Sequence, residues 1–241
     1  MSVADIQAGQ GGDRPLTLAL PSKGRLRDQC EAWLARKGLR LEQAGGARGY
    51  AARIVGLEGL DVRLLGASEI ARTLVAGDVD AGITGEDILR ELTSRADELV
   101  EIHARLGFGR ADVVVAVPDG WIDVSAMSDL AEVAGDMRRA SGRRFRVATK
   151  FIRLASDWFA RHGVSDHRIV DSAGATEGAP AAGLAECIVD ITTTGATLKA
   201  NGLKILPDGV ILRSEACLMV RRPVTDHAGK RELLARLAAP V

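Results

Sequence analysis

Short apolar runs that stop at turn residues alternate along this chain with stretches of helical spacing. Leu16 to Leu20 is apolar and ends at Pro21, Ser22-Lys23-Gly24-Arg25 makes a turn, and Leu26, Cys30, Trp33 and Leu34 then share one helical face up to Lys37. An unbroken apolar run bounded by breakers marks a buried strand, whereas recurrence at three- and four-residue steps marks a helix. Gly38 after Arg36-Lys37 supplies the stop, and Ala44 to Gly49 reads as a glycine-rich loop. Asp61 to Leu65 is the next strand, and Ser68 is the expected N-cap of a helix from Glu69 to Ala76. Val79 to Thr84 is a third strand, ending at Gly85, and Asp87 to Leu92 is a helix. This order predicts a mostly parallel sheet with helices packed on it.

The second half repeats the pattern. Ala111 to Val117 is six apolar residues and one aspartate, closing on the turn Pro118-Asp119-Gly120. Ser125 or Ser128 caps a helix from Asp129 to Arg138, Phe145 to Thr149 is a strand, Ile152 to His162 a helix and Arg168 to Asp171 a strand. A Gly/Ala/Pro-rich stretch from Ser172 to Ala182 leads into Cys187-Ile188-Val189 and then Asp190-Ile191-Thr192-Thr193-Thr194-Gly195-Ala196-Thr197-Leu198. After a short helical segment to Asn201, a turn is expected at Pro207-Asp208-Gly209, a strand pattern through Val210 to Val220, and a helix from Thr225 to Ala239. Leu233, Leu234 and Leu237 share a face of that helix.

Two stretches echo each other. Ser68-Glu69 leads through a small helix to Asp80-Ala81-Gly82-Ile83-Thr84-Gly85, and Thr176-Glu177 leads on to Asp190-Ile191-Thr192-Thr193-Thr194-Gly195. The echo predicts two α/β lobes that bring the carboxyl ends of strands to one shared ligand cleft, the end that ligands of open α/β sheets favour. The first lobe is expected at 1–110 plus 218–241, with 1–14 a flexible tail, and the second at 111–217. Ala111 to Val117 and Ala216 to Val220 are expected to run between them as hinge strands.

Composition narrows the class without choosing a function. The 241 residues are 46% hydrophobic and 27% charged, which excludes wholesale disorder, and aromatics at 3% leave the core to Leu, Val, Ile and Ala. Lys plus Arg and Asp plus Glu are 32 each, so no global basic field calls for nucleic acid or a membrane surface. Cys30, Cys187 and Cys217 are an odd number without metal-like spacing, and no apolar run reaches the length of a membrane span. No signal peptide is read at the start. A cytoplasmic protein is expected.

The stretch from Asp190 to Leu198 carries the most chemistry. A strand, a polar turn and a helix start leave backbone N–H groups free, and threonine hydroxyls add donors for an anion. It reads as a phosphate or pyrophosphate cradle, or as an ordinary N-capped helix. Ser22-Lys23-Gly24-Arg25 places two cations at a helix N-terminus, where the dipole disfavours them, so polyphosphate binding explains them better than a structural role does. Arg110, after Gly107-Phe108-Gly109, reaches a phosphate or carboxylate or is solvated. Lys150 follows a strand and points to the same end. Glu177, among small neighbours, is open to three roles: bonding a substrate hydroxyl, helping to hold a metal, or acting as a base. Its plain alternative is a helix-terminal glutamate. His103, His162, His167 and His227 are scattered.

In their order these motifs resemble ATP phosphoribosyltransferases. The resemblance rests on Asp171 to Pro180 with Glu177-Gly178-Ala179-Pro180, on Gly183-Leu184-Ala185-Glu186, and on Cys187 to Leu198 followed by Asn201-Gly202-Leu203. Ser22 to Leu26, Gly82-Ile83-Thr84-Gly85, Gly107 to Arg110 and Ser214-Glu215-Ala216 agree in order, over about Leu16 to Arg222. Gly178, Glu186 and Ala111-Asp112 depart from the family pattern and bear on substrate contacts. The resemblance implies a fold similar to type II periplasmic binding proteins. It implies transfer of the phosphoribosyl group of phosphoribosyl pyrophosphate to N1 of ATP, with Mg²⁺ held mainly through the substrate pyrophosphate.

For the site it implies Asp190, Thr192, Thr193, Thr194, Gly195, Ala196 and Thr197 on the phosphoribosyl donor. Lys23, Gly24, Arg25, Thr84, Gly85, Arg110 and Lys150 fall to ATP or polyphosphate, and Glu177 to the reacting centre. No regulatory domain of the long form is expected after the second hinge strand. The chain is expected to be similar to the short form, a homodimer within a hetero-oligomer completed by a regulatory subunit resembling histidyl-tRNA synthetase. The competing class is a two-lobed small-molecule binding module without catalysis.

Overall fold

Leu16–Pro21 forms β1, buried at all six positions, and Gly24–Arg36 forms α1, which buries Cys30, Trp33 and Leu34. β2 (Arg40–Gln43), β3 (Ala51–Val55), β4 (Leu60–Leu65), α2 (Ala67–Ala76), β5 (Ala81–Gly85), α3 (Glu86–Leu92), α4 (Ala96–Leu99) and β6 (Val100–Arg105) follow. Next come β7 (Asp112–Pro118), α5 (Met127–Ser141), β8 (Phe145–Thr149), α6 (Ile152–Arg161), β9 (His167–Asp171), β10 (Cys187–Thr192), α7 (Ala196–Ala200) and β11 (Leu203–Leu212). β12 (Ala216–Arg221) and α8 (Ala228–Ala238) end the chain's regular structure. The computed structural model describes residues 15–43, 50–172, 174–222, 224 and 228–239. The expected tail at 1–14, the loop at 44–49 and the start of the C-terminal helix at 225–227 lie outside the described residues.

The chain divides into two compact units, one ending at Gly109 and resuming at Ala216, the other spanning Arg110–Glu215. The first holds a seven-stranded sheet in the order β2-β3-β4-β1-β5-β12-β6. Only β1–β4 and β1–β5 are parallel there. The second holds a five-stranded sheet, β11-β7-β10-β8-β9, parallel at β10–β8 and β8–β9. The mostly parallel sheet expected from sequence is thus corrected to two mixed sheets. β2 and β3 offered no unbroken apolar run, because Arg40, Glu42 and Arg53 interrupt them and form a salt-bridged rim along this edge. β6 and α4 also went unread.

Side-chain alternation fills both faces of each sheet, as strands buried on two sides require. In the first unit Leu16, Leu18, Leu20, Leu218 and Val220 enter one core, while Ala19, Cys217 and Met219 enter another with Ile70 and Leu74. In the second, Val113, Val115, Val147, Cys187 and Val189 pack under α5 and α6. Val114, Ala116, Ala148 and Ile188 face the other way, onto Ala179, Ala185, Leu198 and Leu203.

Three further expectations change. The proposed hinge strands lie inside sheets instead: β7 pairs with β10 and β11, and β12 with β5 and β6. Pro207-Asp208-Gly209 is no turn but a register shift within the ten-residue β11. Gly209 is needed there because a Cβ would press on Val115 and Leu206 at 3.0 Å. The bulge aims Asp208, whose carboxylate accepts the Met127 N–H at 3.0 Å and caps α5 from across the fold. The N-caps themselves are Ala126 and, for α2, Gly66, not Ser125, Ser128 or Ser68. Ser125 instead donates to Asp129, whose carboxylate three residues into the helix gathers the orphan N–H groups.

Candidate functional site

The parallel register Val189↔Thr149 puts the next residues, Asp190 and Lys150, level at the carboxyl ends of β10 and β8. Lys150 Nζ lies 3.9 Å from Asp190 Oδ1, with the lysine side chain 54% exposed and the aspartate 14%. Asp190 points to the same face as Ile188, so the carboxylate stands at the end of an apolar layer. That burial holds its carboxyl above the ordinary 3.8, and the Glu177 charge adds to the effect. The Ile191 N–H at 2.8 Å and Lys150 oppose the rise without cancelling it.

Beyond Asp190 the strand continues through Thr192 and the chain turns at Gly195, whose φ of 73° suits glycine. Thr192 Oγ1 accepts the Gly195 N–H at 2.8 Å and Thr194 Oγ1 accepts the Ala196 N–H at 3.4 Å. Both hydroxyls therefore keep their own protons to donate outward. Thr193 differs, since its hydroxyl donates to the Arg110 carbonyl at 3.1 Å and ties the turn to the start of the unit. Leu198, 3% exposed, pins α7 into the apolar layer, while Ala196 and Thr197 stay exposed. The first N–H groups of α7 have no intrahelical acceptor.

Glu177 sits in a 3-10 turn, Thr176–Gly178, whose Ala179 packs into the same apolar layer. Thr176 is 1% exposed, and its hydroxyl lies 3.0 Å from that of Ser172, just past β9. Lys150, Glu177 and the whole 190–197 stretch thus gather at the carboxyl ends of β8, β9 and β10. A Cβ on Gly178 would meet nothing within 4 Å, so this departure from the family pattern is not a packing demand. Glu186 lies at the other end of β10. Its carboxylate accepts the Arg146 N–H at 2.6 Å and Arg146 Nη2 at 2.6 Å, with Arg143 at 3.4 Å. Burial raises its carboxyl, but the Arg146 bonds outweigh that and hold it below 4.5. The doubt that Glu186 cast on substrate contacts is removed, because the residue clamps β8 to β10.

In the first unit, register brings the carboxyl ends of β1 and β5 level, and these carry Ser22-Lys23-Gly24-Arg25 and Thr84-Gly85. Lys23, Gly24 and Arg25 are exposed, and Lys23 caps α1 only by its extended backbone. Their neighbour Arg27 is occupied by Glu31 at 2.6 Å. Thr84 is fully buried, and its hydroxyl donates to the Ala67 carbonyl at 2.9 Å. At Gly85 any Cβ would collide with Asp87 Oδ1. Arg110 belongs to the second unit and is exposed. The echo between the halves has a counterpart in topology: β5 and β10 each have one parallel and one antiparallel neighbour and lead into a glycine-capped helix.

Sequence reasoning missed the Ser172–Thr176 pair, whose signal is a four-residue spacing amid small residues. For Asp112, noted as a departure from the family pattern, register adds a place opposite Thr192 on the face of Asp190. His162 and His167 are local, each bonding a nearby carbonyl through Nδ1. Among the described residues no three His, Cys, Asp or Glu side chains group to hold a metal, and no helix is long and apolar enough to cross a membrane.

Residues 66–239 match the sequence pattern of the HisG family, ATP phosphoribosyltransferase. An ATP phosphoribosyltransferase of Caulobacter vibrioides is 55% identical over 227 residues, covering 94% of this chain and 71% of that protein. One from Agrobacterium fabrum is 54% identical over 230 residues, covering 94% of this chain and 100% of the relative. In three dimensions the chain is similar to one in the ATP phosphoribosyl transferase (HisG:HisZ) complex from Thermotoga maritima. The two are 28% identical with a TM-score of 0.66, over 92% of this chain and 93% of that one. A histidine kinase sensor domain with similarity to periplasmic binding proteins shares the fold at 15% identity and a TM-score of 0.50, over 93% and 87% of the two chains.

Proposed function

The chain belongs to the ATP phosphoribosyltransferase family, and from that membership we propose how its residues divide the reaction. The enzyme transfers the phosphoribosyl group of phosphoribosyl pyrophosphate to N1 of ATP, releasing pyrophosphate in the first step of histidine biosynthesis. Identity above 50% to transferases of that name favours this over a binding module without catalysis.

The 190–197 turn is the donor site. Thr192 and Thr194, with their protons free, donate to the 5′-phosphate beside the start of α7, Gly195 lets the phosphate approach, and Ala196 and Thr197 flank it. Thr193 keeps the turn in place. Asp190 accepts from the ribose hydroxyls, and Lys150 neutralises charge beside it. The observation that carries this assignment is the pair of inward-bonded threonines on a positive-φ glycine at the end of a parallel strand.

Glu177, close enough to raise the Asp190 carboxyl, faces the ribosyl carbon, which becomes cationic as its bond to pyrophosphate breaks. Lys23, Gly24, Arg25, Gly85 and Arg110 serve polyphosphate, and Thr84 acts by its backbone, since its hydroxyl is bonded inside. Mg²⁺ needs one or two carboxylates together with substrate phosphates, and the single carboxylates present here, Asp190 foremost, fit that donor set. When bound, the ion would neutralise charge on the departing pyrophosphate.

The expected lobes, 1–110 plus 218–241 and 111–217, shift by one or two residues to boundaries after Gly109 and before Ala216, and we keep them as the functional division with the donor loop in the second. A partner subunit of the HisZ kind draws support from the Thermotoga HisG:HisZ complex, while the short form, its homodimer and the likeness of that subunit to histidyl-tRNA synthetase rest on the sequence resemblance. A cytoplasmic setting suits three buried cysteines that form no disulfide; burial pushes the Cys30 thiol up to about 12. Pyrophosphate release from ATP, donor and Mg²⁺ tests the assignment, with Glu177→Gln expected to keep the fold and lose turnover. Unchanged turnover in that variant would remove Glu177 from the reacting centre.

A further inference from the structure

Thr176 is a buried hydroxyl that the reaction as described does not use. A hydroxyl taken out of water costs free energy unless it is bonded, and valine would fill the same space without that cost. Thr176 Oγ1 has two partners, the Gly174 carbonyl at 3.4 Å and Ser172 Oγ at 3.0 Å. It owns one proton, which goes to the carbonyl, so Ser172 donates to Thr176.

The series continues into the sheet. The Ser172 N–H donates to the Thr149 carbonyl at 3.3 Å, and Thr149 Oγ1, wholly buried, accepts the Phe151 N–H at 2.8 Å. Lys150 is therefore held from both sides by the residue that also receives Ser172. The turn carrying Glu177 makes three backbone bonds, Gly178 N–H to the Ala175 carbonyl, Ala179 N–H to the Thr176 carbonyl and the Ala182 N–H to the Gly178 carbonyl, and all three donors lie on its C-terminal side. Its N-terminal side, at Thr176, is fixed by the buried hydroxyl bonds, because 3-10 hydrogen bonds have poorer geometry than those of an α-helix.

We propose that Thr176 is a positioning residue for phosphoribosyl transfer: through Ser172 it locks the turn that presents Glu177 toward Asp190. The inference rests on the role given to Glu177 above. Displacing a reacting group by about 1 Å can cost on the order of a hundredfold in rate, so a few buried bonds are enough to matter.

The test measures pyrophosphate release by the full chain, with and without its regulatory subunit, for Thr176→Val, Thr176→Ser, Glu177→Gln and the double variant Thr176→Val/Glu177→Gln. Thr176→Val is expected to lower kcat by about tenfold while both KM values stay within about twofold. Thr176→Ser should restore most of kcat. In the Glu177→Gln background, Thr176→Val should cost nothing further, whereas a loss of folding would persist there. Wild-type kcat in Thr176→Val, or the same fractional loss in both backgrounds, overturns the proposal. Wild-type turnover in Glu177→Gln overturns the Glu177 assignment itself, so the two failures are distinguishable. Should Thr176→Val melt early, Ser172→Ala removes the donor and leaves the buried threonine in place. It is expected to show the same kcat loss, and wild-type kcat there also overturns the proposal.

Discussion

Lys150 and Asp190 stand level across the parallel pair of β8 and β10, with Nζ 3.9 Å from Oδ1. The two ends of this pair differ in solvation, the lysine being half in water and the aspartate closing an apolar layer. An ion pair with one exposed partner adds little to stability. Its effect is to keep a cation beside a carboxylate whose charged form burial disfavours.

Asp190→Asn is therefore expected to stabilise the protein while disabling it. The folded carboxyl titrates above its unfolded value of 3.8. Between those two values the native state binds more protons than the unfolded one, so stability falls as pH rises through that window. At pH 7 the whole cost is present, and the asparagine variant should melt higher than the parent. Below the unfolded value the difference should vanish. Calorimetry should show donor binding lost. A lower melting temperature at pH 7 would contradict the burial argument.

Gly195→Val should weaken donor binding, and the cause lies in the backbone. A Cβ at this position meets only Ile205 Cδ1, at the ordinary distance of 3.4 Å, but φ is 73°. Holding a non-glycine residue there costs about 1–2 kcal/mol, least for asparagine. Donor affinity should fall in the order Gly, Asn, Ala, Val. An alanine variant binding like the parent would show that the turn relaxes freely.

Glu186→Gln should destabilise the second unit without changing donor affinity. The carboxyl is held below 4.5, so its contribution is present above that value and is lost as pH falls through the folded value. Losing the charged bonds to Arg146 should cost about 1–2 kcal/mol in denaturant titrations at pH 7 and nothing once the parent carboxyl is protonated. A changed KM for the donor would instead return Glu186 to the site.

The chemistry was more legible in the sequence than the topology. Apolar runs such as Leu16 to Leu20 and Cys187 to Val189 announce buried strands because both of their faces are covered. β2 and β3 stayed hidden, since Arg40, Glu42 and Arg53 line an edge that has no second layer to satisfy. Asp208 was read as a turn residue, because Pro-Asp-Gly has the same local preferences in a bulge as in a turn. Its choice between them is made by Met127, 81 residues away. Asp190 and the threonines were readable as a set because strand end, turn and helix start are consecutive. The closeness of Lys150 required the register of β8 on β10, and the Ser172–Thr176 bond required the path of the chain after β9.

The buried pair in the first unit gives a last expectation. Asp80, 1% exposed at the head of β5, accepts the Thr17 N–H at 3.0 Å and Lys230 Nζ at 3.1 Å. Lys230 comes from α8, so this bond joins the end of the chain to its first strand. Removing the cation alone takes the ion-pair partner from a buried carboxylate that keeps its bond from the Thr17 N–H, and breaking a buried pair in this way costs about 3–5 kcal/mol. Lys230→Met should therefore lower the unfolding free energy by about that amount, and Asp80→Asn/Lys230→Met should recover much of the loss, because the asparagine amide carries no charge to strand. Chemical denaturation of the parent, the single variants and the double variant closes the cycle. If Lys230→Met costs less than 1 kcal/mol, α8 is held by its apolar face, Leu233, Leu234, Leu237 and Ala238, and the ion pair only settles where along the sheet the helix docks.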